Sequence, residues 1–393
     1  MATVQDTDAA LNHPLMGEAA PSSPPGKITL FLCGDIMTGR GIDQVLPHSV
    51  DPVIYEPYLR SAAGYVQLAE GVHGPIPRPV DYSYIWGDAL AVLERHKPDL
   101  RLINLETSVT TSPDYWPDKG INYRMHPGNL PCLSAARIDC CVLANNHVLD
   151  WGYPGLLETL KVLEQAGIAA AGAGRDQQEA QTPARLEIEA KGRLLVHAYG
   201  SYTSGVPGSW AATEERPGVN LLPDFSAETI LRIKNEVAAF RQPGDVVLFS
   251  LHWGGNWGYE VSDAERRFAH RLLDEAGIDA VYGHSSHHVK GIEVYQGKLI
   301  LYGCGDFLND YEGIGGYEEF RGDLSLMYFP GFDPVIGRLV ELRMQPMQIK
   351  RFQTIRATRA DVRWLQRVLN REGKRFGTRA ELLEDGSFFL HWE

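Results

Sequence analysis

The stretch Ala280-Val-Tyr-Gly-His-Ser-Ser-His-His-Val289 is a short apolar run that stops at a glycine and then releases His284, His287 and His288. A run of this length closed by glycine reads as a buried strand. Gly283 permits a backbone turn that a bulkier residue would resist. The histidines would then project from the carboxyl edge of a sheet. Neutral imidazole is the commonest protein metal ligand. The stretch is therefore either one wall of a metal site or a His-rich surface loop.

Four other apolar runs end in the same way. Residues 27–34 lead into Asp35, and residues 100–105 lead into Glu106. Residues 139–144 lead into Asn145, Asn146 and His147, and residues 245–251 lead into His252. Each polar group has an ordinary explanation when taken singly: a turn former, a surface acid, an asparagine pair in a turn, an imidazole stacked on Trp253. Five such strand ends in an apolar context point instead to one shared site. In open α/β sheets, ligands bind outside the carboxyl ends of the strands. Carboxylate, carboxamide and imidazole donors suit Mn²⁺, Fe or Zn²⁺. Asp35, Glu106, Asn146, His252, His284 and His287 are enough for one or two divalent ions.

Between these runs the apolar spacing predicts helices over residues 88–96, 155–166, 226–240, 262–276 and 361–372. Strands alternating with helices define an α/β class. The strands are continuous apolar runs, so both sheet faces are expected to be covered. Residues 1–26 read as a disordered tail. Residues 41–85, rich in Pro, Tyr and Gly, form a long irregular excursion expected to cover the site and help select substrate. Residues 107–125 form a second polar and aromatic loop.

The net charge of −13 over 393 residues argues against a nucleic-acid partner. No run reaches the roughly 18 apolar residues of a membrane span, and the N-terminus lacks the features of a signal peptide. No membrane anchor and a cytoplasmic location are the expectations. The five cysteines show no CxxC pair, so they read as reduced core residues. Arg40, five residues after Asp35, could neutralise an anionic substrate or form a structural ion pair. Arg124 and His126 are similar candidates.

The ordered set Gly34-Asp-Ile-Met37, Asn104-Leu-Glu106, Ala144-Asn-Asn-His147, His252-Trp-Gly254 and Gly283-His-Ser-Ser-His287 resembles the bacterial capsule synthesis protein family CapA, also called the poly-γ-glutamate biosynthesis PgsA-like family. That family looks like a branch of the calcineurin-like metallophosphoesterase superfamily. The resemblance implies a metallophosphatase-like four-layer αββα sandwich, with helices outside two mixed sheets. It would occupy residues 27–357, and residues 358–393 would be a C-terminal helical extension packed on it.

The resemblance further implies that Asp35, Glu106, Asn146, His252, His284 and His287 ligate metal, with Glu106 bridging, and that His147 protonates the leaving group. Arg40, Asn145 and Arg124 would contact substrate. Two features depart from the superfamily. Met37 stands where it has a metal-ligating histidine, and the last motif is one residue longer. The implied activity is metal-dependent hydrolysis of a phosphoester or an amide such as a glutamyl linkage. The substrate would be a small molecule, a peptide or a polyglutamate-like anion. The alternative is a non-catalytic accessory protein of polymer biosynthesis with a degenerate metal site.

Overall fold

The computed structural model describes residues 26–393. The tail expected for residues 1–26 lies, apart from Gly26, outside the described residues. The chain is mixed α/β. Two large sheets carry most of its strands.

In the larger sheet, Ile28–Phe31 and Asp35–Ile36 form one strand line broken at Gly34. Both halves pair in parallel with Leu100–Leu105, Leu30 opposite Leu100 and Asp35 opposite Asn104. Cys140–Val142 and Ala169–Ala171 continue the parallel order. On the other flank, Asp306–Leu308 pairs in parallel with Asp35–Ile36, placing Asp306 opposite Asp35. The long antiparallel pair Leu324–Asp333 and Arg338–Lys350 extends the sheet from Ile28–Phe31. Gly34 is required by proximity, because a Cβ there would lie 1.9 Å from the Gly305 carbonyl oxygen.

The second sheet has a parallel centre of Gly192–Ser201, Asp245–His252, Ala280–His284 and Lys298–Leu301. Its register puts His252 directly opposite His284. Every residue of Asp245–His252 and of Ala280–His284 is buried, as continuous apolar runs require of doubly covered strands.

Three large apolar cores account for most of the packing among the described residues, beside a small cluster of Ile54, Ala62 and Tyr65 in the excursion. One joins side chains of the larger sheet, such as Ile103 and Cys141, to Val92, Leu93, Leu156 and Leu163 of helices Ala89–His96 and Gly152–Gln165. A second joins the two sheets through residues such as Leu102, Val142, Val196 and Leu248. A third joins the second sheet to Ala227–Phe240 and Asp263–Glu275 through Ile233, Phe268 and Leu272. The 3–4 residue spacing of these helical positions is what gives each helix one apolar face. A buried side chain such as Phe268 contributes roughly 1.5–3 kcal/mol. Ser262 and Glu265 form a reciprocal capping box that starts Asp263–Glu275 where its sequence implied.

The irregular excursion contains a helix, Ala63–His73. The C-terminal segment is more than helical. Arg359–Gly373 packs on the inter-sheet core through Leu365 and Leu369, and a hairpin of Thr378–Leu382 and Phe388–Trp392 joins the larger sheet beside Arg338–Lys350. All five cysteines are free and buried.

Candidate metal centre

The two sheets bring their carboxyl edges together. Asp306, Asp35 and Asn104 stand in one register row across three strands of the larger sheet. His252 and His284 stand in register on the second. One donor atom from each of Asp35, Glu106 and His252 lies within 4.8 Å of the others, and all three residues are buried.

The contacts around this trio are dense. Asp35 Oδ1 accepts from Asn104 Nδ2 at 2.8 Å and lies 3.0 Å from His284 Nδ1. Asp35 Oδ2 accepts from the Ser285 backbone N–H at 3.1 Å. His252 Nε2 lies 3.1 Å from Asn146 Oδ1 and 3.9 Å from Glu106 Oε1. His287 joins the row through Asp306, with Nδ1 2.9 Å from Asp306 Oδ1. Asn146 and His284 thus touch the Asp35–Glu106–His252 trio directly, and His287 reaches it through Asp306.

The electrostatics are those of a site short of positive charge. Burial pushes the Glu106 carboxyl well above its usual range, and the Asp35 and Asp306 carboxylates push it further. Burial also works against ionisation of Asp35, but the His284 hydrogen bond and charge outweigh it and bring that group to about 2. Burial takes His252 down to about 3, leaving the neutral imidazole that metals bind. The ring of His284 reaches Asp35 through Nδ1, and its Nε2 is buried with no hydrogen-bond partner. Converging buried carboxylates, neutral imidazoles and an unpartnered nitrogen fit a divalent cation.

His147 stands beside the trio, with Nε2 3.8 Å from Glu106 Oε1. Its Nδ1 lies 2.6 Å from Asp150 Oδ2, and Asp150 is in turn paired with Lys119 at 2.7 Å. Tyr123 stacks on the imidazole, ring centres 3.9 Å apart. Burial, with Lys119 and Arg40 nearby, holds His147 well below the usual histidine range.

Three residues expected to meet substrate have protein partners in the structure. Arg40 is buried; it pairs with Glu56 Oε1 at 3.0 Å and grips both carboxylate oxygens of Asp310. That is the structural ion pair, and it ties the excursion to the sheet. Asn145 has no capacity left. Its amide donates to Asn104 Oδ1 and Leu105 O, and its oxygen accepts from the His147 and Val148 backbone N–H groups. It shapes the turn that carries Asn146 and His147. Arg124 donates to the Ser112 and Asp51 carbonyls and lies 3.6 Å above the Trp151 ring. It lines a cleft of about 500 Å³ between the excursion and the second loop, together with Asp51, Tyr55 and Thr111.

His288 turns away into Trp257, Tyr259 and Phe320. Met37 is buried in the core between the larger sheet and its helices, so it offers the centre no donor. Sequence reasoning passed over Asp306, Asp150 and Lys119. A signal for Asp306 was available: Cys304-Gly-Asp306 repeats Cys33-Gly-Asp35, and the two tripeptides lie side by side in the sheet.

Fold and site together define an α/β protein with two mixed sheets whose strand ends build a buried carboxylate–histidine centre able to hold a metal ion. Residues 29–311 match the family described as bacterial capsule synthesis protein PGA_cap, and the chain belongs to that family. It is 48% identical over 356 residues to a Mycobacterium tuberculosis protein named "Probable polyglutamine synthesis accessory protein", covering 90% of this chain and 93% of the relative. It is 27% identical over 296 residues to the "PGA biosynthesis protein CapA" of Bacillus subtilis, covering 75% of this chain and 66% of the relative. It is 25% identical over 285 residues to the "Capsule biosynthesis protein CapA" of Bacillus anthracis, covering 72% of this chain and 60% of the relative. Among the described residues, no helix is long and apolar enough to cross a membrane.

Proposed function

We propose that the protein is a metal-dependent hydrolase acting on a phosphoester or on an amide such as a glutamyl linkage. In this reading the three apolar cores order the layers helix–sheet–sheet–helix, as in a metallophosphatase sandwich. The observation that carries the proposal is the meeting of Asp35, Glu106 and His252 within 4.8 Å, with His147 Nε2 3.8 Å from Glu106. Asp35, Glu106, Asn146, His252, His284 and His287 would hold one or two ions of Mn, Fe or Zn. A bound divalent ion supplies polarisation of the substrate oxygen and activation of water.

The chain's own residues do the rest. Asp150 fixes the His147 ring through Nδ1, so that Nε2 faces the centre; there it must first take up a proton, against the burial that lowers this group, and can then pass it to the leaving group. Lys119 anchors Asp150. Tyr123 stacks on His147 and excludes water from that face. The cleft lined by Arg124, Tyr55 and Trp151 would take the remainder of a bulky organic substrate. The names of the relatives favour a glutamate polymer or a related anion as that substrate.

Metal analysis of the purified protein, coupled to a screen of generic phosphoester and amide substrates, tests this reading. Metal and turnover are expected, and His147→Ala should keep the metal while losing about 10²–10⁴-fold in rate. Wild-type protein with neither metal nor turnover would overturn the proposal. A second reading, a non-catalytic accessory role, is favoured by the burial of Met37 where a ligand would stand and by the word "accessory" in the name of the M. tuberculosis relative. It requires a protein with a degenerate metal site that turns over nothing.

A further inference from the structure

Two tyrosines from separate loops meet over the centre. Tyr123 stacks on His147, and Tyr311 stands edge-on to His287 with ring centres 5.5 Å apart. Their hydroxyl oxygens are 2.6 Å apart. Two phenols carry two protons, and only one can lie between the oxygens. Neither hydroxyl has another hydrogen-bond partner among the described residues. The second proton is therefore without an acceptor, at the wall formed by His147 and His287. The Arg40 guanidinium lies 4.7 Å from the Tyr123 ring centre and 5.7 Å from that of Tyr311. It adds positive charge behind the pair, and its own hydrogen bonds go to Glu56 and Asp310.

We propose that the Tyr123–Tyr311 pair is a ligand-binding donor of this site, giving its unshared phenolic proton to an oxygen of a tetrahedral oxyanion or carboxylate held at the metal centre. The inference rests on the metallohydrolase reading above. Tyr311 is the partly exposed member, whereas Tyr123 is only 2% exposed. Tyr123 therefore serves as the fixed partner and Tyr311 as the one that reaches the ligand. A packing role alone would give the opposite ranking, because the more buried ring should matter more.

The experiment is calorimetric titration of inorganic phosphate into the full-length, metal-loaded protein, with metal content measured on the same samples. Tyr311→Phe is expected to weaken phosphate binding about tenfold, the scale of one hydrogen bond to a charged group. Its metal content should match the wild type, and its thermal midpoint should fall only by what the loss of the Tyr123 partner costs. Tyr123→Phe should weaken phosphate binding less, because Tyr311 keeps its own proton. Phosphate affinity unchanged in Tyr311→Phe, or lost more in Tyr123→Phe, would overturn the inference and leave the metal centre standing. Metal-loaded wild type that binds no phosphate would also overturn it. Absence of metal in the wild type would overturn the underlying reading instead.

Discussion

Two buried charged clusters lie side by side in this protein, and they differ in how completely they are satisfied. Around Arg40, the guanidinium is paired with Glu56 and Asp310 and stacked 3.8 Å from the Tyr65 ring centre. Around Asp35, three buried carboxylates, of Asp35, Glu106 and Asp306, face the imidazoles of His252, His284 and His287. One of these imidazoles keeps a buried nitrogen without a partner. The first cluster is closed and structural. The second is open, and its Asp35, Glu106 and His252 donors could hold a cation. The lesson is that burial and charge do not mark a functional site; unmet donors and acceptors do.

The largest expected effect breaks the closed cluster. Arg40→Met would leave Glu56 and Asp310 buried without a counter-charge and should cost roughly 3–5 kcal/mol, read from urea denaturation. The mirror experiment opens the contrast. Glu106→Gln should abolish or sharply weaken metal binding while leaving the metal-free fold as stable as the wild type or more so, because burial and the Asp35 and Asp306 carboxylates already work against its charge. If both substitutions cost the same stability, the two clusters are alike and the contrast fails.

A third buried acid sharpens the comparison. Asp43 accepts hydrogen bonds from the His126 and Val50 backbone N–H groups and from Asn129, but among the described residues no cation is paired with it. Burial raises its carboxyl to about 6 despite these bonds. A raised carboxyl binds its proton more tightly in the folded state, so the linked stability is complete below pH ~4 and is lost as pH rises through 6. The shift corresponds to about 3 kcal/mol. Urea midpoints between pH 4 and 7 should fall for the wild type, and Asp43→Asn should lose that slope. An identical slope in the variant would show that hydrogen bonds alone had balanced the charge.

The smallest effect concerns Asp306. Its hydrogen bond to His287 Nδ1 leaves Nε2 as the free lone pair of that ring. Asp306→Asn should weaken metal binding by about 10–100-fold without unfolding the protein, measured by competition with a chelating dye.

Much of the centre was legible in the sequence because its candidate donors follow glycine-closed or fully apolar strands. Asp35, Glu106, Asn146, His252, His284 and His287 all reach one edge. What escaped was anything decided by side-chain saturation. Asn145 stays open between turn former and substrate contact until its four hydrogen bonds are counted, and Arg40 stays open between anion binder and structural ion pair until Asp310 arrives from 270 residues away. Asp306 was hidden because its strand is only three residues long and begins with the charge. The C-terminal hairpin was hidden because its short strands, such as Thr378–Leu382, mix buried and exposed positions, unlike the apolar runs elsewhere.

The central claim is that the Asp35 cluster is completed by a divalent ion. Elemental analysis of the protein, paired with thermal melts before and after chelation, tests it most directly. At least one equivalent of Mn, Fe or Zn is expected, with a Tm that falls on chelation and returns on reloading, and Asp35→Asn should carry none. A wild-type protein that takes up no metal, and whose Tm ignores both chelator and added ion, would contradict the account.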